Sequence, residues 1–282
     1  MTAQPLAAAP WTDIPEGGTD LRLVVADMDG TLLQPDGEVP ASFWPLLERM
    51  QERGIAFVPA SGRQLATLQA DFGPRGVRSF VAENGTVVLR DEEIVQTTTL
   101  DPRVAREAII AGREAAARHD VGVVRCGVHG AYVERSDDAF LRVAGTYYHR
   151  LSVVEDLLAV PEEVIKVAVH AAGGAAQIAE EVFARVARTE QVVVSGANWV
   201  DVMPALADKG RGVRALQESL GASAAQTAVF GDYLNDLPMF PASELSFAMA
   251  GAHPEVAAAA RYRAPGNDEA GVVQVLERLL GD

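Results

Sequence analysis

The stretch Val24-Val25-Ala26-Asp27-Met28-Asp29-Gly30-Thr31-Leu32-Leu33 decides how this chain is read. Residues 21–26 are short and almost wholly apolar, the pattern of a strand buried on both faces of a parallel sheet. The run ends in two carboxylates one residue apart, followed by Gly30-Thr31. Open α/β sheets bind ligands beyond the carboxyl ends of their strands, so this pair sits where such a fold carries its chemistry. Two carboxylates this close repel, and each resists ionising unless a cation stands between them. Magnesium suits the position, being hard, oxygen-seeking and commonly held by one or two carboxylates plus substrate phosphate. Taken alone, Asp-x-Asp-Gly reads equally well as a turn after a strand, with Gly30 supplying the geometry. The rest of the chain weighs against a turn alone.

With 282 residues, 49% of them hydrophobic, the chain has enough apolar surface for a large core and is expected to form two domains. A net charge of −15 argues against nucleic acid or an anionic membrane as a partner, since no cationic surplus exists to release counterions. Any phosphate site must therefore be locally cationic. The single cysteine, Cys126, excludes an intrachain disulfide and a multi-cysteine metal cluster, and it reads as a small buried hydrophobe on a strand. Residues 1–20 carry Pro5, Pro10, Pro15 and Gly17-Gly18 with no periodicity, which predicts a flexible tail. They lack the basic start and long apolar core of a signal peptide, and no apolar run approaches bilayer-spanning length. The expectation is a cytoplasmic protein.

Strands and helices alternate through the first part of the chain. Ser42 is placed to cap a helix through Leu46, Leu47 and Met50 that Gly54 stops. Residues 55–59 form a second buried strand with Ser61-Gly62-Arg63 at its end. A helix over 64–72 follows, then a strand over 79–82 that ends in Glu83-Asn84-Gly85. This alternation predicts right-handed βαβ units on a parallel sheet. Ser61-Gly62 offers a hydroxyl and free peptide N–H groups to an oxyanion, or else it is a helix cap. Its place at the strand end favours phosphate.

Residues 86–204 change character, with short strands over 121–126, 131–134, 164–170, 191–195 and 199–203, a helix opened by Asp101-Pro102, and another over 175–187. This reads as a smaller inserted α+β domain. The first pattern then resumes. Lys209 opens a helix through Val213, Leu216 and Leu220, either as a site residue or as a solvated surface lysine. Residues 227–230 form another buried strand, ending in Gly231-Asp232-Tyr233-Leu234-Asn235-Asp236. A strand over 245–248 and an amphipathic helix through Val272, Val275, Leu276 and Leu279 close the chain.

In that order, Asp27-x-Asp29-Gly30-Thr31, Ser61-Gly62-Arg63, Lys209-Gly210 and Gly231-Asp232-x-x-Asn235-Asp236 resemble the haloacid dehalogenase (HAD) superfamily. The long insertion resembles the Cof-type branch with a C2 cap, as do Glu83-Asn84-Gly85 before it and Val200-Asp201-Val202-Met203-Pro204 at its exit. The resemblance implies an α/β fold, with a Rossmann-like parallel core over 21–85 and 205–282 and an α+β cap over 86–204. It also implies Mg²⁺ and phosphoryl transfer through an aspartyl phosphate. By that match Asp27 is the nucleophile and Asp29 the general acid and base, two tasks a carboxyl group can perform. Asp27, the Asp29 backbone carbonyl and Asp232 would hold the metal, with Asp236 acting behind them through water or Lys209. Ser61, Gly62, Lys209 and Asn235 would hold the phosphate.

The charges make the metal necessary on this reading. Asp27, Asp29, Asp232 and Asp236 against Lys209 leave a net −3, which repels a phosphate dianion. A divalent cation brings the site to −1, and a protonated Asp29 brings it to neutrality. The implied activity is a phosphatase acting on a small phosphorylated metabolite, with a sugar phosphate as the leading class. Two alternatives remain open: a phosphomutase resembling the phosphomannomutases, and a binding protein that has lost turnover. Substrate contacts are sought in the cap at Arg125, His129, Tyr132, Glu134 and Tyr147-Tyr148-His149-Arg150, although each can equally serve the cap's own packing.

Overall fold

Residues 8–17, 19–195 and 197–281 are described by a computed structural model. Leu23–Ala26, buried along its whole length, lies inside a six-stranded sheet. The order across it is Ala9–Pro10, Tyr262–Arg263, Leu245–Ala248, Thr227–Gly231, Leu23–Ala26 and Ala56–Pro59, all parallel. The register sets Ala26 beside both Phe230 and Pro59. The residues that follow these three strands therefore emerge together at their carboxyl ends: Asp27, Asp232 and Ala60-Ser61.

Phe43–Glu52 turns Phe43, Leu46, Leu47 and Met50 inward, and the Phe43 ring meets Phe57 edge-on at 4.8 Å between centroids. Ser42 precedes this helix but its side chain makes no capping hydrogen bond, because its backbone is already helical (φ −67°, ψ −17°). Lys209–Leu220 starts as expected, with the Asp208 carboxylate accepting from Arg211 N–H at 2.7 Å, and it ends at Gly221. Phe80–Ala82 departs from the expected parallel sheet. It pairs antiparallel with Val87–Arg90, since the short Glu83–Gly85 turn reverses the chain, and a single parallel bridge, Ala60 to Val81, links it to the strand before it.

The expected flexible tail is corrected where the chain is described. Ala9–Pro10 extends the core sheet, Ile14 is buried, and the Ile14 carbonyl accepts from Arg278 Nε at 2.5 Å. A two-residue strand containing proline leaves no periodicity to read. Residues 1–7 and 18 lie outside the described residues.

The chain divides into two compact units: residues 1–62, 72–96 and 208–282, and residues 63–71 with 97–207. Relative to a division at 85/86 and 204/205, the hairpin after Gly85 stays with the first unit because Val87–Arg90 pairs with Phe80–Ala82. Residues 63–71 go with the second unit, where Gln64 and Thr67 hydrogen-bond the backbone of Arg150 and Tyr147. The second unit holds a sheet in the order Gln191–Val194, Trp199–Met203, Lys166–Ala171, Val121–Cys126, Ala131–Val133 and Leu151–Val153. Alternate residues Val121, Val123, Val167, Val169, Val200 and Val202 pack beneath Pro102–Ala116 and Ala175–Phe183, meeting Ile109, Ile178 and Phe183. The eight-residue helix Asp138–Gly145 was not anticipated from the sequence; its Asp137 cap accepts from Phe140 N–H at 3.1 Å.

Phe43 is fully buried in the first unit's core. Phe43→Ala is expected to cost about 3–5 kcal/mol, read as a fall in the denaturation midpoint with an unchanged slope. A loss below about 1 kcal/mol would mean that the site collapses around the smaller residue.

Candidate active site

The chain leaves Ala26 and coils immediately, with Leu32 N–H reaching the Asp27 carbonyl at 3.2 Å and Leu33 N–H the Met28 carbonyl at 2.9 Å. Gly30 makes this turn possible at φ +80°, and a Cβ there would stand 2.4 Å from Asp232 Oδ2. Only glycine satisfies both demands. Thr31 then donates from Oγ1 to Asp232 Oδ1 at 2.9 Å, joining the first strand end to the Thr227–Gly231 strand end.

Lys209 is completely buried, and its ammonium donates to Asp27 Oδ1 at 2.5 Å and Asp236 Oδ1 at 2.7 Å. Asp236 is equally buried, and its other oxygen accepts Asp232 N–H at 2.9 Å and Tyr233 N–H at 3.1 Å. Asp27, Asp232 and Asp236 each bring an oxygen within 4.8 Å of the others. These are hard oxygen donors in negative excess, the donor set that suits a divalent cation. Of the three, Asp236 has both oxygens engaged by Lys209 and by two peptides, which leaves Asp27 and Asp232 as the better placed to bind an ion.

Burial pushes the Asp27 carboxyl up to about 8, the Asp236 charge adds to the rise, and Lys209 opposes it. Asp232 is also raised, chiefly by burial and in spite of the Thr31 hydrogen bond. Burial alone would depress Lys209, but the carboxylates of Asp236 and Asp27 outweigh it and hold the ammonium above its ordinary value. Together the shifts describe a site with more carboxylates than cations. Without an ion, that excess pushes Asp27 toward its protonated form.

Ser61 is buried, with its N–H on the Val81 carbonyl at 2.9 Å and its own carbonyl accepting Asn84 N–H at 3.0 Å. Asn84 adopts a left-handed backbone at φ +56°, and its Oδ1 accepts from Asn235 Nδ2 at 3.2 Å. Asn84 thus joins the Ser61-Gly62 loop to the Asp232–Asp236 loop. Asp29 is exposed, two residues beyond buried Asp27. Asp27, Ser61, Gly62, Asp232, Asn235 and Asp236 fall within these linked loops, and Lys209 reaches Asp27 and Asp236 from the start of its helix. Thr31 and Asn84 were quoted within the motifs but given no role there. Their signals were present: a hydroxyl directly after Asp-Gly, and an asparagine at a strand end, the residue type that tolerates a left-handed turn.

The side chains proposed as substrate contacts in the insertion belong to the second unit and have structural work there. Arg125 is buried and donates to the carbonyls of Leu157 at 2.6 Å, Val160 at 2.8 Å and Glu162. Glu134 accepts from Arg113 Nε at 3.0 Å and Leu157 N–H at 2.7 Å. Tyr132 donates to Glu162 Oε2 at 2.8 Å, and the other Glu162 oxygen accepts His129 N–H at 2.7 Å. Tyr148 is buried beside Trp199, while Tyr147 is 53% exposed against the same ring. His149 and Arg150 are exposed, and the Arg150 peptide is held by Gln64.

A family model of haloacid dehalogenase-like hydrolases matches residues 24–276, and the chain belongs to that family. The resemblance read from the motifs, Cof-type branch included, holds. The 5-amino-6-(5-phospho-D-ribitylamino)uracil phosphatase YbjI of Escherichia coli (strain K12) is 31% identical over 265 residues, spanning 92% of this chain and 96% of that protein. HMP-PP phosphatase of Cronobacter sakazakii (strain ATCC BAA-894) is 26% identical over 245 residues, spanning 84% of this chain and 87% of its own. Among solved structures, TM0651 from Thermotoga maritima superposes with a TM-score of 0.81 at 25% identity, covering 93% of this chain and 98% of that one. Among the described residues, no helix is long and apolar enough to cross a membrane.

Because Asp27 is pushed up to about 8, a cation binding there must displace a proton. Mg²⁺ titrated into the protein at about pH 7 should release protons, with the release shrinking as pH rises past the Asp27 value. Calorimetry in two buffers of different ionisation heat measures this directly, and proton uptake on binding would contradict it.

Proposed function

We propose that this HAD-type phosphatase hydrolyses a small phosphate monoester, with a sugar phosphate as the substrate class, using Mg²⁺ and an aspartyl-phosphate intermediate on Asp27. The observation that carries the reading is the Asp27 carboxylate at a strand end, held by buried Lys209 and flanked by Asp232, with exposed Asp29 two residues on. The names of two relatives support the class: both act on small phosphorylated compounds, one bearing its phosphate on a ribityl chain.

On this reading Asp27, the Asp29 backbone carbonyl and Asp232 hold Mg²⁺, which supplies positive charge to the phosphate. Ser61 Oγ, the Gly62 N–H, Lys209 and Asn235 bind and orient the phosphoryl oxygens. An Asp27 oxygen attacks phosphorus, the ester P–O bond breaks, and Asp29 gives its proton to the departing alkoxide. Asp29, now a carboxylate, takes a proton from water as that water attacks the aspartyl phosphate. Inorganic phosphate leaves and both carboxyl groups return to their starting states. Asp236 holds Lys209 and the Asp232-Tyr233 peptides in place without touching substrate.

Asp27→Asn keeps the size of the side chain but removes the attacking charge. Turnover of an aryl phosphate should fall by several orders of magnitude while the circular dichroism spectrum is unchanged. Near-wild-type turnover in the purified variant would sink the covalent route. Exhaustive chelation should abolish activity, Mg²⁺ should restore it, and Ca²⁺ should do so poorly because its larger, irregular shell misplaces the phosphoryl group. Phosphate release should match ester consumed. A sugar phosphate isomerised without release of phosphate would identify a mutase instead.

A further inference from the structure

We propose that Gln64 is a positioning residue for the phosphate-binding loop Ser61-Gly62, an inference that rests on the function proposed above. The chain leaves the first compact unit directly after Gly62 and rejoins it at Phe72. Gln64 is only 5% exposed, and its amide pairs in both directions with one residue: Oε1 accepts Arg150 N–H at 2.9 Å, and Nε2 donates to the Arg150 carbonyl at 3.2 Å. That carbonyl also accepts Ala131 N–H at 2.8 Å, so both of its lone pairs are filled. Arg150 offers one donor and one acceptor, and this fixes which way the Gln64 amide faces.

A buried amide is costly unless its hydrogen bonds are made, so a residue needed only for packing would be apolar here. The type of residue 64 is explained by the reciprocal pair. The Gln64 backbone serves the same end, its carbonyl accepting Thr67 N–H at 3.0 Å and Leu68 N–H at 3.1 Å to open the helix Leu65–Phe72. On the other side of the loop, Ser61 is fixed through Val81 and Asn84 at 2.9 and 3.0 Å. Only Gly62 and Arg63 lie between these anchors. Gln64 therefore sets where the Gly62 N–H is presented, at a helix start where an oxyanion is favoured.

The test compares wild type with Gln64→Ala and Gln64→Glu, with Thr67→Val as a control that removes only the 3.4 Å contact to the Tyr147 carbonyl. Four quantities are measured: kcat and KM for an aryl phosphate, inhibition by inorganic phosphate, and Mg²⁺ affinity by calorimetry. Gln64→Ala should weaken phosphate inhibition about tenfold and lower kcat/KM by about 10–100-fold, with Mg²⁺ affinity held within about twofold. Gln64→Glu keeps the acceptor for Arg150 N–H but sets an oxygen against the carbonyl, and should give a partial loss in the same two quantities. Thr67→Val should match wild type. Unchanged phosphate inhibition in the Gln64 variants overturns the proposal, as does a parallel loss of phosphate and Mg²⁺ affinity. If Gln64→Ala does not fold, Gln64→Glu decides by the same criteria. Wild-type protein that binds phosphate yet turns over no ester would remove the proposed function, while the phosphate-affinity comparison still decides the role of Gln64.

Discussion

The buried ammonium of Lys209, shared between Asp27 and Asp236, is the interaction on which the rest of the site depends. An isolated charge at complete burial would cost far more than the whole stability of a domain, so Lys209 can lie there only because carboxylates meet it on two sides. Those carboxylates come from different strand ends, which binds the two loops to one point. The local sequence makes room for the arrangement. At Gly210 a Cβ would fall 1.8 Å from the Pro238 carbonyl, so the start of the Lys209–Leu220 helix can press against the segment that carries Asp236 only with glycine there. Removing one partner from such a buried group typically costs about 3–5 kcal/mol, because a charge is left stranded.

Much of this was legible because parallel strands advertise themselves. Residues 23–26 and 228–230 are apolar and buried, and the polar residues that follow them fall at the carboxyl ends where such a fold gathers its ligands. The spacing Asp27-x-Asp29 and the order of the later motifs then singled out the acidic cluster. Sequence could not show which oxygens are already occupied. Asp236 counts as a carboxylate in any charge tally, yet its hydrogen bonds to Lys209, Asp232 and Tyr233 make it an anchor. The linking roles of Thr31 and Asn84 were missed for a related reason. Each acts by joining two loops distant in sequence, a relation that no local pattern records.

The second unit was legible as an architecture and illegible as a surface. Alternating valines marked the face that packs beneath the helices, and the strands Val121–Cys126 and Trp199–Met203 fall where the sequence puts them. Its charged and aromatic residues left two readings open, substrate contact or packing within the unit. Arg125, Glu134 and Tyr132 satisfy the carbonyls, peptide N–H groups and carboxylate of residues 157–162, a structural task that no local pattern displays. That segment has little regular structure beyond a single short turn, Leu157–Ala159, so side chains supply the hydrogen bonds that a sheet or helix would supply elsewhere.

Asp27 and Asp29, two residues apart, have the contrasting surroundings that their proposed tasks require. A nucleophile must be ionised and aimed, whereas a general acid must exchange protons with a leaving group and then with water. Burial aims Asp27 through Lys209, but the same burial pushes its carboxyl up toward about 8, against the ionised form that attack needs. The proposed nucleophile therefore sits where the protein alone does not favour its ionised form. A divalent cation held beside it would shift the balance toward the anion, so on the proposed function loading the metal and arming Asp27 would be one event. Asp29, exposed beyond the Asp27 pocket, has access to the solvent from which the second half of the proposed reaction would draw its water.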